Sequence, residues 1–231
     1  MRNLEQNSSL DKSISFSTKL RNILRNNIPI AFDFLKFIYI FSLHQISKRR
    51  WKKILLNNEV KLNLGSGPRK GSHGWINVDL FGADINHDLR KGVPLEDNSV
   101  DCVYSSHVFE HIPYKDLLHV IEEIRRILKP KGKLLVCVPN AGLYLRAYFN
   151  GEMFVSYDEM FIPAAVNTNS KIDQLNYIAY LNGDHTFMFD EENIINILKK
   201  CNFKNVVFRE FDPEIDRQER DFESMYVQAL K

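Results

Sequence analysis

The sequence predicts an α/β domain behind a basic helical extension, and three observations predict it. From Glu59 onward, short apolar runs alternate with stretches of helical periodicity, the order that builds a sheet covered by helices. An apolar run at Val60–Leu64 leads into the glycine turn Gly65-Ser66-Gly67, and open α/β sheets bind ligands at such strand ends. The charge is split along the chain. Residues 1–56 carry eleven Lys/Arg against three Asp/Glu, a balance of +8, while the remainder carries 20 against 26, within a net charge of +2. The 231 residues, 44% hydrophobic and 26% charged, suffice for one globular domain plus an extension.

The strands follow in order. Val60–Leu64 is the first, Trp75–Leu80 the second and Ala83–His87 a short third. Val100–Ser105 is the fourth. Leu134–Val138, entered through the turn Lys129-Pro130-Lys131-Gly132, is the fifth, and Asn205–Phe211 and Met225–Leu230 complete the set. Between Tyr114 and Leu128 the residues Leu117, Ile121, Ile124 and Leu128 recur at helical spacing. A second helix starts at Asp190, a good N-cap, and runs to Cys201, with Asn202 suited to the left-handed position that ends it. The stretch from Asn140 to His185 holds eight aromatics and no clean period, and a connection of that length is functional or has structure of its own. Three cysteines without C-x-x-C spacing read as reduced core thiols.

Spacing around the glycine turn narrows the ligand. A dinucleotide cradle wants a third glycine three residues after the second and an acidic residue about 20 further on. Here Gly71 falls one place late, Asp79 follows Gly65 by fourteen residues, and Pro68 to Gly74 leaves no room for a long helix. The pattern instead fits S-adenosylmethionine, which has no phosphate. Gly65–Gly67 allow close backbone approach to its methionyl part. The Asp79 carboxylate can accept from both ribose hydroxyls, and Asp88 can accept from the adenine amino group. Asn63, Ser66, Leu80, Leu89 and Ser106 flank these positions.

The run Lys61–Pro68, then Asn77-Val78-Asp79, His87-Asp88-Leu89-Arg90, Asn98-Ser99-Val100-Asp101 and Ser105-Ser106-His107-Val108-Phe109-Glu110-His111 resembles class I S-adenosylmethionine-dependent methyltransferases. The likeness extends to Ile127–Lys133 and to Asp184-His185, and is greatest to small bacterial enzymes of surface-polysaccharide biosynthesis. It covers about residues 59–230. It implies a Rossmann-like, mostly parallel seven-stranded sheet with an antiparallel last strand. It also implies that residues 57–231 form the methyltransferase domain, with an aromatic-rich insert at about 140–185. The motifs speak for the cofactor and hardly for the acceptor. The link between the first two strands is shorter than the general pattern, which leaves the ribose contact less defined.

Methyl transfer is an in-line displacement at an already activated carbon, so the enzyme chiefly holds the acceptor in line, and a hydroxyl acceptor also needs a base. His107, Glu110 and His111 follow the fourth strand, and if a helix begins there, His107 and His111 share a face. His107 is the first choice for the base, Glu110 an orienting group, and His185 a residue reaching the same pocket from the other side. Glu110 and His111 serve equally well as residues that pin the turn. Together these four faintly resemble the ligand set of metal-dependent methyltransferases that modify RNA ends. There, however, a carboxylate stands where His107 does, so no metal is expected. The insert, with Tyr144, Tyr148, Phe149, Phe154, Tyr157, Phe161, Tyr177 and Tyr180, is expected to cover the acceptor site.

Residues 1–56 are read as a basic, amphipathic extension. The apolar run Ile28–Leu43 precedes Lys48-Arg49-Arg50-Trp51-Lys52-Lys53, which fits peripheral contact of residues 21–56 with an anionic membrane. The alternatives are an arm packed on the domain or a dimer contact. No signal peptide is visible. The acidic body argues against nucleic acid. The expectation is a cytoplasmic O-methyltransferase acting on a saccharide or lipid-linked glycan, at the inner face of the membrane. Behind it stand a non-catalytic scaffold of the same fold and, less favoured, a nicotinamide-dependent oxidoreductase. Acceptor and oligomeric state are not legible.

Overall fold

The computed structural model describes residues 47, 49–54, 58–68, 74–164 and 166–231. The run Ile28–Leu43 and Lys48 lie outside the described residues, as does most of the link between the first two strands. Contacts divide the chain into Met1–Ile46 and a compact unit Ser47–Lys231.

That unit is built on seven strands: β1 (Lys61–Leu64), β2 (Trp75–Asp79), β3 (Ile85–Asn86), β4 (Val100–Ser106), β5 (Leu128–Pro139), β6 (Lys204–Phe208) and β7 (Ser224–Leu230). Their order across the sheet is β3-β2-β1-β4-β5-β7-β6. Strands β1 to β5 pair in parallel, whereas β7 is antiparallel to both β5 and β6. This is the Rossmann-like methyltransferase fold that the sequence implied. Its order reverses between β1 and β4, and the carboxyl ends of those strands open the crevice where a ligand sits.

Helix α1 (Tyr114–Ile127) buries Leu117, Val120, Ile121, Ile124 and Ile127 in one core with Leu62, Leu64, Val103, Leu134 and Val136. Each such side chain contributes about 1.5–3 kcal/mol on leaving water. The last helix, Glu191–Lys200, starts on a capping box: Asp190 accepts from the Glu192 and Asn193 N–H groups, and the Asn193 side chain accepts from Asp190 N–H. It ends as read, with Asn202 at φ 64°.

Four expectations need correction. The run Lys129–Gly132 is no separate turn but part of β5, whose start pairs Leu128 with Val100 across a register shift, with Lys131 at φ 65°. No α-helix begins at His107. That residue sits at φ 53° and only a 3-10 turn, Phe109–His111, follows, so the i, i+4 geometry is absent. The stretch Asn140–His185 is not periodless: it forms helices α2 (Ala141–Phe149) and α3 (Lys171–Tyr180). These share a second apolar cluster of Ala141, Tyr144, Met160, Tyr177, Ile178 and Leu181. Finally, the extension does not reach residue 56 as a separate body. Residues 49–54 are helical, Trp51 is 2% exposed and joins the main core with Ile54, and its ring meets His87 edge-on at 5.5 Å.

Candidate active site

Two adjoining hollows open at the carboxyl ends of β1, β2 and β4, sharing Gly65 and His107. The larger, about 310 Å³, is lined by Asp79, Leu80, Asp88, Leu89, His111 and others. The smaller, about 160 Å³, is lined by Asn63, Ser66, Gly67, Ser106, Arg217 and Arg220 among others. All nine positions expected to hold the cofactor, scattered from Asn63 to Ser106, thus converge on one crevice.

Local chemistry explains the convergence. Gly65 has φ +70°, and a Cβ there would stand 2.1 Å from a Val108 methyl, so only glycine fits. Its N–H donates to the Val78 carbonyl at 2.7 Å, tying the loop to β2. The Asp79 carboxylate accepts from the Gly67 N–H at 2.9 Å, which shapes the loop and leaves further lone pairs for ribose hydroxyls. Asp88 is placed less simply. It caps the 3-10 turn Leu89–Lys91 and is gripped by Arg90 through two side-chain bonds of 2.9 Å. Burial alone would raise its pKa, but the Arg90 contacts hold it below the usual carboxylate range. An adenine amino group at Asp88 therefore has to share it with Arg90.

The four residues expected to carry chemistry do meet, but in two tiers. His107 and His111 line the larger hollow. Glu110 is fully buried and His185 nearly so; both lie behind that wall. The His107 ring is turned away from the acceptor side. Its Nε2 bonds the Ser224 hydroxyl at 2.8 Å and its Nδ1 faces Glu110 Oε1 at 3.4 Å. That argues against His107 as a direct base and for a positioning role. His111, whose side chain is 37% exposed, donates Nδ1–H to the Asp184 carbonyl at 2.9 Å. His185 likewise donates Nδ1–H to the Ile178 carbonyl at 2.8 Å, and burial pushes its pKa down. Burial would raise the Glu110 carboxyl, yet the His107 imidazole beside it, with His111, holds it below its ordinary value.

The sequence reading missed two site residues of consequence, Arg217 and Arg220. Both come from the segment before β7, which is anchored by a buried fork: Arg209 Nη1 and Nη2 donate to the two Asp216 oxygens at 2.6 and 2.7 Å, and Tyr104 Oη donates to Asp216 at 3.0 Å. This long-range anchor, with the Ser224 hydroxyl on the Arg220 carbonyl and the Tyr144 hydroxyl on Glu223, helps bring the arginines to the pocket. None of the insert's aromatics lines either hollow, although Phe161 stacks under the Arg220 guanidinium at 4.6 Å. The thiols take no part: burial raises the pKa of Cys102 to about 11 and of Cys137 to about 12.

Residues 67–136 match the family model described as a methyltransferase domain. A segment of 48 residues is 50% identical to an uncharacterized protein of Methanocaldococcus jannaschii, covering 21% of this chain and 20% of that relative's length. Among solved structures, a SAM-dependent methyltransferase of Archaeoglobus fulgidus shares 14% identity over 82% of this chain and 94% of that one, with a TM-score of 0.46. A 1,6-didemethyltoxoflavin N1-methyltransferase of Burkholderia thailandensis shares 13% over 94% and 89%, also at 0.46. The family match begins at Gly67, the last residue of the glycine turn, and spans Asp79, Asp88 and the His107–His111 turn. Residues 67–136 are thus similar to a methyltransferase domain, and the crevice has the lining expected for S-adenosylmethionine.

Proposed function

We propose that the protein transfers a methyl group from S-adenosylmethionine to a hydroxyl of a saccharide or lipid-linked glycan precursor. The observation that carries the cofactor side is the convergence of nine separated positions on one crevice. In this reading Gly65–Gly67 admit the methionyl part to the smaller hollow, and Asp79 takes the ribose. Leu80 and Leu89 flank the adenine in the larger hollow.

A hydroxyl acceptor is supported by the chemistry of the wall. His111 lines the larger hollow, its Nδ1 fixed by the Asp184 carbonyl and its Nε2 3.8 Å from Glu110 Oε1. An amine needs no such apparatus once deprotonated, whereas an alcohol must lose its proton as the methyl group arrives. Arg217 and Arg220 line the smaller hollow, where their charge suits the carboxylate of the cofactor's methionyl part. Peripheral contact with an anionic membrane would bring a lipid-linked acceptor to this opening.

The decisive experiment incubates the protein with methyl-labelled cofactor and panels of nucleotide sugars, lipid-linked glycans and small amines. Label entering a glycan hydroxyl supports the proposal, and label entering amines alone refutes it. Calorimetry against S-adenosylmethionine, its demethylated product and NAD separates an enzyme of this class from a scaffold or a nicotinamide enzyme.

A further inference from the structure

Behind the wall of the crevice lies a cluster whose polar atoms do not satisfy one another. One donor atom each from Glu110, His111 and His185 lies within 4.8 Å of the other two. A carbonyl oxygen can only accept. The bonds to the Asp184 and Ile178 carbonyls therefore place the proton of His111 and of His185 on Nδ1, leaving each Nε2 a lone pair. The His111 Nε2 stands 3.8 Å from Glu110 Oε1. Both Glu110 oxygens and the His185 Nε2 are buried without a hydrogen-bond partner. His107 does not resolve this. The Ser224 hydroxyl gives its proton to the Arg220 carbonyl, so it accepts from His107 Nε2, and the His107–Glu110 contact at 3.4 Å reaches only one of the two oxygens.

Two imidazole lone pairs and a carboxylate thus converge with no proton donor among them. Buried acceptors left so are costly, and a cation satisfies the Glu110 carboxylate and the His185 Nε2 together with the exposed-edge Nε2 of His111. We propose that Glu110, His111 and His185 bind one first-row divalent metal ion. Two nitrogens and one oxygen suit Zn2+ or a similar borderline ion, and disfavour Mg2+ and Ca2+, which take oxygen ligands. The carbonyl bonds to both Nδ1 atoms are the outer partners that orient ligating histidines. Three protein ligands would leave a coordination position open, and one of the three, His111, also lines the crevice. When bound, such an ion would acidify a hydroxyl placed on it. Metal binding itself does not depend on methyl transfer being the reaction.

The test uses the full-length protein, stripped with a chelator and dialysed separately against Zn2+, Co2+ and Mg2+, with retained metal measured by mass spectrometry and Co2+ coordination by visible absorption. Stoichiometric Zn2+ and a tetrahedral-type Co2+ spectrum are expected, with Mg2+ not retained. His111→Gln, at the exposed edge of the cluster, and His185→Gln should each weaken Zn2+ binding at least as much as the roughly 10–100-fold typical of lost outer partners. The exposed His119→Gln should bind as the parent does. Because a buried variant can fail for lack of folding, circular dichroism accompanies each, and His111→Gln decides if His185→Gln is unfolded. No retained Zn2+ or Co2+ in the parent, or equal loss in His119→Gln, overturns the proposal. Retained metal without methylation of any acceptor leaves this site standing and sinks only the reaction.

Discussion

Replacing Gly65 by alanine should damage both the fold and the cofactor site, and the structure gives the size. Gly65 is at φ +70°, where a side chain costs about 1–2 kcal/mol. Its new Cβ would lie 2.1 and 2.8 Å from the two Val108 methyls and 3.0 Å from the Val108 Cβ. Forcing a methyl into such a contact costs typically ~1–3 kcal/mol. Together these give about 2–5 kcal/mol, against a total stability of roughly 5–15 kcal/mol for a domain. At about 2–4 °C per kcal/mol the melting midpoint should fall by ~4–20 °C. Val108 lines the crevice and precedes the Phe109–His111 turn, so any relief by moving it displaces the site, and affinity for S-adenosylhomocysteine should fall at least about tenfold, or ~1.4 kcal/mol. Thermal unfolding and calorimetry read the two effects. Adding Val108→Ala removes the two closest atoms but not the backbone strain, so the pair should couple favourably by about 0.5–3 kcal/mol. Parental melting and affinity in Gly65→Ala, or strict additivity of the pair, would refute the reasoning.

Three further outcomes follow from the same geometry. Asp79→Ala removes the acceptor for the Gly67 N–H and the proposed ribose contact. Since a hydrogen bond to a charged group contributes roughly 1.5–3 kcal/mol, calorimetry should show at least tenfold weaker cofactor binding (about 1.4 kcal/mol), and unchanged affinity removes Asp79 from the ribose site. His107→Ala should lower kcat while leaving cofactor affinity nearly intact, because His107 acts through Glu110; if kcat is normal on a true acceptor, its role is purely structural. Trp51→Ala should cost about 3–5 kcal/mol, as truncation of a buried aromatic does, and a melting midpoint equal to the parent's would show that the 49–54 segment is not docked.

The sheet was legible because its strands are apolar runs bounded by turn residues, and the cofactor crevice because its contacts are local to three strand ends. What escaped depends on distant partners. Nothing around His107 announces φ 53°, yet that one residue replaces the expected helix by a tight turn and drives Glu110 inward. Helices α2 and α3 hid because they pack on each other in a satellite cluster, so their buried positions follow neither a full amphipathic stripe nor an alternation. Arg217 and Arg220 stand in a charged run that reads as surface. The Arg209–Asp216 fork and the Tyr104 and Tyr144 hydroxyls, each far away or unremarkable in sequence, help turn that run toward the pocket. Within Lys48–Lys53 the place of Trp51 escaped for the same reason: it belongs to the core, while Arg49, Arg50, Lys52 and Lys53 are exposed.

That burial also changes how the membrane reading has to be tested. A chain shortened to begin near Leu56 would lose Trp51 and Ile54, two residues of the main core. It would lose as well the Ser47 hydroxyl that accepts from Asn86 N–H and the Arg50 bond to the Asp84 carbonyl. Its unfolding would follow from lost packing and say nothing about membranes. The informative cut falls before Ser47, at the boundary of the compact unit. A chain beginning there keeps Arg49, Lys52 and Lys53 exposed but lacks the apolar run Ile28–Leu43. Each surface cation contributes about 1 kcal/mol near an anionic bilayer, screened by salt, whereas apolar insertion is not screened. No helix among the described residues is long and apolar enough to cross a membrane, and the peripheral attachment expected of residues 21–56 divides between these two terms. Full-length protein should sediment with anionic vesicles at low salt and partly resist high salt. The chain starting at Ser47 should bind weakly, release entirely in salt, and still bind cofactor. If the full-length protein stays in the supernatant at low salt, or the two chains sediment alike, residues 1–46 are not a membrane anchor.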